Sequence, residues 1–230
     1  LSLAVSVALF PVLVKQGHVR PSDAIVWGRS AFGIASMVVL DPSSTAFERS
    51  EIARLTDAGT PARWQQQWVD LGQISVHLQR AVIVSEDDLF LQHTGVHWQA
   101  MEKAWQRNER ALAQAQRRGQ AAQLVGGSTI TQQLAKNLFL SGERTLFRKG
   151  QEFVLTLMLE AVLSKRRILE IYLNHVEWGQ GVFGAQAAAR HYFGKNAAQL
   201  SEWEAARLAV MLPRPKWFER HQDSPYWAER

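Results

Sequence analysis

Cysteine is absent from this chain of 230 residues. Its absence excludes disulfide frameworks, thiolate metal sites and cysteine nucleophiles, but it leaves the cellular compartment open. Charged residues are also sparse, at 20% of the sequence against 47% hydrophobic residues. A chain of this size and composition can bury a core in one or two domains, which excludes wholesale disorder.

Several catalytic motifs are missing as well. The sequence contains no Ser-x-x-Lys motif of penicillin-sensitive transpeptidases and no Walker A, His-Glu-x-x-His or Gly-x-Ser-x-Gly motif. Residues 179–184 match the dinucleotide fingerprint G-x-G-x-x-G, but a helical pattern precedes them, so we predict a tight turn between helices. His93 and His97 have the spacing of helical metal ligands, yet Gly95 separates them, so we predict no metal site there.

No hydrophobic run reaches the roughly 20 residues of a bilayer span. Residues 1–14 carry no charge, but Lys15 and Asp23 bound a polar interruption before a second short apolar run, residues 31–40. An anchor helix, a signal-peptide core and a buried helix are all open interpretations. We favour an N-terminal membrane anchor region at residues 1–40, with its front missing from the sequence, followed by one domain at residues 41–230.

The net charge of +5 and the pI near 9.8 suit an acidic partner such as phosphate, nucleic acid or anionic lipid. No nucleic-acid-binding module is recognisable, so nucleic acid is not an expected partner. The segment at residues 98–123 is polar and basic, and its composition favours a solvated surface helix.

The pattern after Asp41 is mostly helical, with few alternating β-branched runs, which predicts an all-α fold class. Thr129 with Gln132, and Ser201 with Glu204, fit capping boxes at helix starts. The predicted helices cover residues 45–58, 78–91, 130–140, 148–163, 165–174 and, as the last before Pro213, 202–212.

Two sets of carboxylates lie inside these helical segments. Glu86, Asp87 and Asp88 are consecutive in an apolar stretch. A partly buried carboxylate with like-charged neighbours is a usable base near neutral pH, although a solvated helix face is the simpler interpretation. Glu152 follows Arg148 and Lys149 at helical spacing, where an ion pair with Arg148 is the alternative.

Four segments of the chain, in order, resemble the signature motifs of the peptidoglycan glycosyltransferases. The resemblance covers residues 74–218, and without a transpeptidase motif the chain is similar to the monofunctional biosynthetic transglycosylases of Gram-negative bacteria. The matching positions are Glu86, Asp87, Phe90, His93 and Gly95, then Gly126, Gly127, Ser128 and Thr129 to Leu134, then Arg148, Lys149 and Glu152, and then residues 165–174, which end at Asn174.

This resemblance implies a lysozyme-like fold with a smaller, membrane-facing jaw subdomain. It also implies polymerisation of lipid II into β-1,4-linked glycan strands, with release of undecaprenyl pyrophosphate. Glu86 would be the general base that takes the proton from the 4-hydroxyl of the acceptor sugar. Such an inverting single displacement needs no covalent intermediate.

The resemblance implies that the remaining site residues surround and stabilise the pyrophosphate leaving group. A pyrophosphate that gains charge needs preorganised cations and polar donors. Glu152 would orient these cations or a divalent ion; no cofactor is obligatory, and no sequence feature fixes a site for Mg²⁺. The implied cations are Lys136, Arg144, Arg148 and Lys149, and the implied polar cluster is Ser128, Thr131, Gln132 and Gln133.

The implied setting is the bacterial inner membrane, with a single membrane pass and a periplasmic catalytic domain. The implied partners are lipid II, the nascent glycan strand, the membrane and the proteins of wall synthesis and division. A lytic enzyme on the same fold and a lipid II-binding scaffold are the alternatives. The basic cluster argues against the first, and the intact Glu86 and Glu152 argue against the second.

Overall fold

A computed structural model describes residues 30–59, 64–118, 127–140 and 146–221. Most of the predicted anchor, residues 1–29, lies outside the described residues, as do Gly126 and Arg144. Residues 30–36 are helical. In the described ranges, no helix has both the length and the apolar character that crossing a membrane requires.

Helices make up most of the described chain, in agreement with the predicted pattern. Nine of them are labelled here in chain order. They are α1 (Ala46–Asp57), α2 (Val76–Glu86), α3 (Trp98–Arg118), α4 (Ile130–Phe139), α5 (Leu146–Val162), α6 (Lys165–His175), α7 (Ala185–Phe193), α8 (Glu202–Met211) and α9 (Pro215–Arg220). Short 3₁₀ turns occupy Leu71–Gln73 and Ala197–Gln199.

Side-chain caps explain where several helices begin. The Thr129 hydroxyl accepts from the backbone N–H of Gln132, and the Gln132 side chain accepts in return from the backbone of Thr129. Ser201 and Glu204 form the same reciprocal capping box at the start of α8. Each box satisfies backbone donors that have no partner inside the helix, and both confirm the predicted starts.

The predicted tight turn at residues 179–184 lies within a small sheet. Three short strands, β1 (Gln65–Gln66), β2 (Glu177–Gly179) and β3 (Val182–Phe183), form a sheet in the order β1-β3-β2. β1 pairs with β3 in parallel, and β2 pairs with β3 antiparallel with a bulge. The fingerprint-like segment is therefore a β-hairpin between α6 and α7, with Gly181 at φ 75° in its turn.

Two helix ends also differ from the prediction. α2 stops at Glu86, because Asp87 adopts an extended φ of −164° and its carboxylate bonds elsewhere. α8 is not the last helix, since Pro215 starts α9. Pro at a first helical position is favourable, because it has no N–H to leave unpaired.

The core lies between paired helices. α2 packs along α8, while α4 packs against α5 and α6. The Asn174 side chain is fully buried, donates to the carbonyls of Val69 and Glu170, and accepts from the Val69 N–H. This clamp fixes α6 against the chain before α2. The largest fully buried side chains include Phe90, Tyr172, Trp178 and Phe183.

Candidate active site

Glu86 is the last residue of α2 and lines a cavity of about 300 Å³. The cavity lies between the end of α2, the start of α4 and one face of α3. Gly127 and Ser128 line it from the start of α4, while Lys103 and Arg107 line it from α3. A carboxylate, a hydroxyl and two cationic side chains therefore share one open space.

The Glu86 carboxylate is held by a side chain of α4. Gln133 Nε2 donates to Glu86 Oε2 at 2.8 Å, and the Tyr172 hydroxyl donates to Gln133 Oε1 at 3.0 Å. Burial raises the pKa of Tyr172 well above its ordinary value, and the nearby charges of Glu86 and Asp87 add to the rise. The phenol therefore remains a hydrogen-bond donor at neutral pH.

Asp87 connects the end of α2 to the start of α4. Its buried carboxylate accepts from His93 Nε2 at 2.8 Å and from the backbone N–H of Ile130 at 3.1 Å. His93 Nδ1 accepts from the Gly95 N–H, so Nε2 carries the proton that is donated to Asp87. A negative charge at the start of a helix is also favoured by the helix dipole.

Gly95 lies where no other residue fits. Its φ is 91°, and a Cβ atom would lie 2.7 Å from Thr156 Cγ2 and 2.9 Å from Glu160 Cγ. Its carbonyl accepts from the Thr129 hydroxyl at 2.6 Å. The glycine therefore lets the loop after α2 reach both α4 and α5 closely.

The predicted polar cluster divides into two sets. Ser128 lines the cavity and Gln133 contacts Glu86. Thr131 is buried and donates to Glu160, which also accepts from Lys165, while the Gln132 side chain caps α4. The structure thus brings Ser128 and Gln133 to Glu86 and engages Thr131 and Gln132 in contacts within the protein.

The cations and the second glutamate lie on α4 and α5. Glu152 is buried and forms an ion pair with Lys149. Lys149 itself is mostly exposed, and Arg148 is half-buried. Lys136 follows Gln133 by three positions, so the two project from the same side of α4. Glu152 is not among the described residues that line the cavity beside Glu86.

Phe90 and Asn174 have supporting positions. Phe90 is fully buried, and Lys165 Nζ lies 4.5 Å from the centre of its ring. Asn174 forms the clamp described above. Neither side chain lines the cavity in the described part of the chain, so both act on the site through the fold.

Three residues at the site were missed by sequence reasoning. Lys103 and Arg107 belong to the segment interpreted as a solvated surface. Tyr172 lies in the motif at residues 165–174, but no role at the site was predicted for it. Lys103 and Arg107 are four positions apart, which places both on one helical face. That spacing was the available signal, but nothing in the sequence shows that the face borders Glu86.

Comparison with known proteins identifies similar chains. Residues 51–230 match the family described as Transglycosylase. A biosynthetic peptidoglycan transglycosylase of Bordetella avium is 53% identical over 190 residues, which are 83% of this chain and 77% of the relative. One from Burkholderia ambifaria is 51% identical over 225 residues, covering 92% of this chain and 88% of the relative. One from Herminiimonas arsenicoxydans is 52% identical over 190 residues, with coverage of 83% and 78%.

Proposed function

The chain belongs to the transglycosylase family and is a peptidoglycan glycosyltransferase, and on this premise we propose that it polymerises lipid II into β-1,4-linked glycan strands. The 4-hydroxyl of the acceptor sugar attacks the anomeric carbon of the lipid-linked donor. The bond to the pyrophosphate breaks as the new glycosidic bond forms, and the configuration inverts. Undecaprenyl pyrophosphate leaves with the bonding electron pair, and the hydroxyl proton passes to a base.

Glu86 is the proposed base, and its position is the observation that carries the proposal. It is half-buried, borders the cavity and accepts from Gln133 on one carboxylate oxygen. A base must lie within hydrogen-bond reach of the proton that it removes, and a fixed carboxylate at the wall of an open cavity meets that requirement. A buried carboxylate with no open space beside it would not.

The leaving group needs charge stabilisation, because a pyrophosphate gains negative charge as the bond breaks. We assign this role to Lys136, Arg148 and Lys149, with Arg144 retained from the motif resemblance. Glu152 pairs with Lys149 and would hold its ammonium group in place. Lys103 and Arg107 add positive charge beside Glu86, where they would attract an anionic substrate.

A hydrolytic role on the same fold is the second candidate. A lytic enzyme must protonate a sugar leaving group, and cations give no help to that step. The cationic wall beside Glu86 therefore supports transfer from a pyrophosphate donor over hydrolysis. We also propose that the chain has no transpeptidase activity, since the sequence has no Ser-x-x-Lys motif.

The rest of the implied setting is part of the same proposal. We propose a lysozyme-like fold with a jaw that faces the membrane, attachment to the inner membrane through residues 1–40, and a periplasmic catalytic domain. The exposed Phe32, Val39 and Trp105 side chains supply apolar surface that suits a lipid boundary. The nascent glycan and proteins of wall synthesis and division would be its other partners.

A divalent cation is not a required part of this mechanism. Within residues 30–59, 64–118, 127–140 and 146–221, no three His, Asp or Glu side chains converge as metal ligands. Mg²⁺ at the pyrophosphate oxygens stays a prediction.

The decisive test is polymerisation of labelled lipid II in detergent by the whole chain of 230 residues. We expect polymer that lysozyme cuts to muropeptides with the wild type, and none with Glu86→Gln, because the amide cannot accept the proton. Binding of lipid II and the melting temperature should be unchanged in this near-isosteric variant. Wild-type polymerisation by Glu86→Gln would overturn the assignment of the base.

A further inference from the structure

Tyr172 does not line the cavity, but it is connected through Gln133 to the Glu86 carboxylate that does. Its hydroxyl lies 3.0 Å from Gln133 Oε1, and Gln133 Nε2 lies 2.8 Å from Glu86 Oε2. The two bonds have a fixed direction: the phenol donates to the amide oxygen, and the amide nitrogen donates to the carboxylate. Reversal of the amide would oppose its oxygen to a carboxylate oxygen, which is repulsive.

The Tyr172 end of this series of hydrogen bonds is fixed by the core. Tyr172 is 1% exposed and sits in the core between Ile171 and Leu173, both fully buried. Its helix α6 is anchored two residues later by the Asn174 clamp. The near end borders open space, because Glu86 lines the cavity and Gln133 is only partly buried.

We propose that Tyr172 is a positioning residue for the transfer reaction, which acts through Gln133 to fix the orientation of the Glu86 carboxylate. The inference rests on the function proposed above, because it assumes that Glu86 is the base. Tyr172 does not touch the substrate. Its hydroxyl holds the Gln133 amide, and the amide holds the plane of the carboxylate that must face the acceptor hydroxyl.

The test variant is Tyr172→Phe, which deletes one oxygen and keeps the buried ring. We expect kcat for lipid II polymerisation to fall about tenfold or more, with KM nearly unchanged, because a misoriented base slows the chemical step without weakening binding. The acid limb of the pH profile of kcat should move to higher pH, since a less ordered amide stabilises the carboxylate anion less well.

Tyr192→Phe is the matched control. The Tyr192 hydroxyl donates to the Trp178 carbonyl at 2.7 Å, so this variant also removes a tyrosine hydrogen bond. Within the described part of the chain, its hydroxyl bonds to Trp178 and not to Gln133 or Glu86, and we expect wild-type kcat and pH profile. A similar loss in both variants would show a general effect on stability and overturn the inference.

A double-mutant cycle with Gln133→Ala distinguishes positioning from a structural role. If Tyr172 acts only through Gln133, Tyr172→Phe will cause no further loss of kcat in the Gln133→Ala background. If the loss of kcat in the double variant equals the product of the losses in the two single variants, the inference is overturned. If Tyr172→Phe does not fold, Gln133→Ala alone must lower kcat and move the acid limb, and wild-type behaviour would refute the connection.

The outcomes separate this inference from the proposed function. The proposed function is rejected if the folded wild type makes no polymer from lipid II, or if Glu86→Gln keeps full activity. In either case the positioning role of Tyr172 is rejected as well. If the wild type is active, Glu86→Gln is inactive and Tyr172→Phe retains the wild-type kcat and pH profile, only the positioning role of Tyr172 is rejected.

Discussion

The Asp87 carboxylate accepts a hydrogen bond from the backbone N–H of Ile130, 43 positions later in the chain. The residue next to the proposed base is therefore bound to the first turn of the helix that carries Gln133. Through this bond, α2 and α4 meet at a defined distance, and Gln133 can reach Glu86. Changes at the junction are expected to affect both stability and catalysis.

Asp87→Asn should destabilise the protein by about 2 kcal/mol, because it replaces one of the two oxygens that accept from His93 and Ile130 with an NH₂ donor, and because the favourable charge at the start of α4 is lost. Chemical denaturation at pH 7 measures this change. Polymerisation should fall together with stability. Asp88→Asn is the control for stability, since Asp88 is exposed, and an equal loss of stability in the two variants would contradict the role of the junction.

Gly95→Ala should reduce the free energy of unfolding by about 3 kcal/mol for two reasons. Alanine is strained at the positive φ of this position, and its methyl group would overlap Thr156 and Glu160. Gly194→Ala is the matched control. Gly194 has φ 65° at the end of α7, but a Cβ there meets nothing within 4 Å. It should therefore cost only the conformational strain, about 1 kcal/mol. Equal destabilisation would show that the close approach at Gly95 is unimportant.

Glu177 should make the stability depend on pH. Burial raises its pKa from 4.5 to about 7, although the nearby Lys216 opposes this shift. The folded state therefore keeps a proton that the unfolded state loses between these values, so the stability falls as the pH rises from 4.5 to 7. The full cost, roughly 3 kcal/mol, is present only above pH 7.

Glu177→Gln removes this titration. The free energy of unfolding of the variant minus that of the wild type should be more favourable to the variant at pH 8 than at pH 5. Urea denaturation at both pH values measures this difference. Glu204→Gln is a control of opposite sign, because Lys195 and the Ser201 cap lower the pKa of Glu204. That variant should be less stable than the wild type by the same amount at pH 8 and pH 5, and this difference should shrink only as the pH falls below 4.5. A pH-independent difference for Glu177→Gln would contradict the prediction.

Lys136→Ala should weaken use of the lipid-linked donor, because it removes one cation assigned to the pyrophosphate. The expected result is a fall in kcat/KM at limiting lipid II with little change in melting temperature. Lys195→Ala removes a lysine that pairs with Glu204 on another part of the surface and should leave the rate unchanged. An unchanged rate for Lys136→Ala would place Lys136 outside the donor site.

Local sequence rules predicted the helix starts, because a cap is formed by residues three positions apart, as at Thr129 and Ser201. They failed at the end of α2, where the apolar pattern continues past Glu86. The helix stops there because Asp87 bonds to His93 and Ile130, and no local rule contains a partner 43 positions away. The strands were missed because two or three residues are too few to show alternation.

The motif resemblance pointed to several residues that lie near one cavity, but it did not predict the direction of each side chain. Ser128 and Thr131 were assigned together, yet only Ser128 lines the cavity, while Thr131 points to Glu160 in the interior. Ser128 lies before the cap of α4, whereas Thr131 is in its first turn, so the two side chains face different surroundings. The part played by Lys103 and Arg107 depends on how α3 packs, which the sequence pattern of one helix does not contain.

The helix that carries Glu86 is fixed at its other end by the late part of the chain. Ser75, which caps α2, donates to the Leu200 carbonyl 125 positions later, and α2 packs along α8. During synthesis, α8 leaves the ribosome long after the carboxylate has been made. The emerging polypeptide is therefore expected to lack these contacts until almost all of it has been produced, and a chain cut short before α8 would carry Glu86 on a helix without its packing partner.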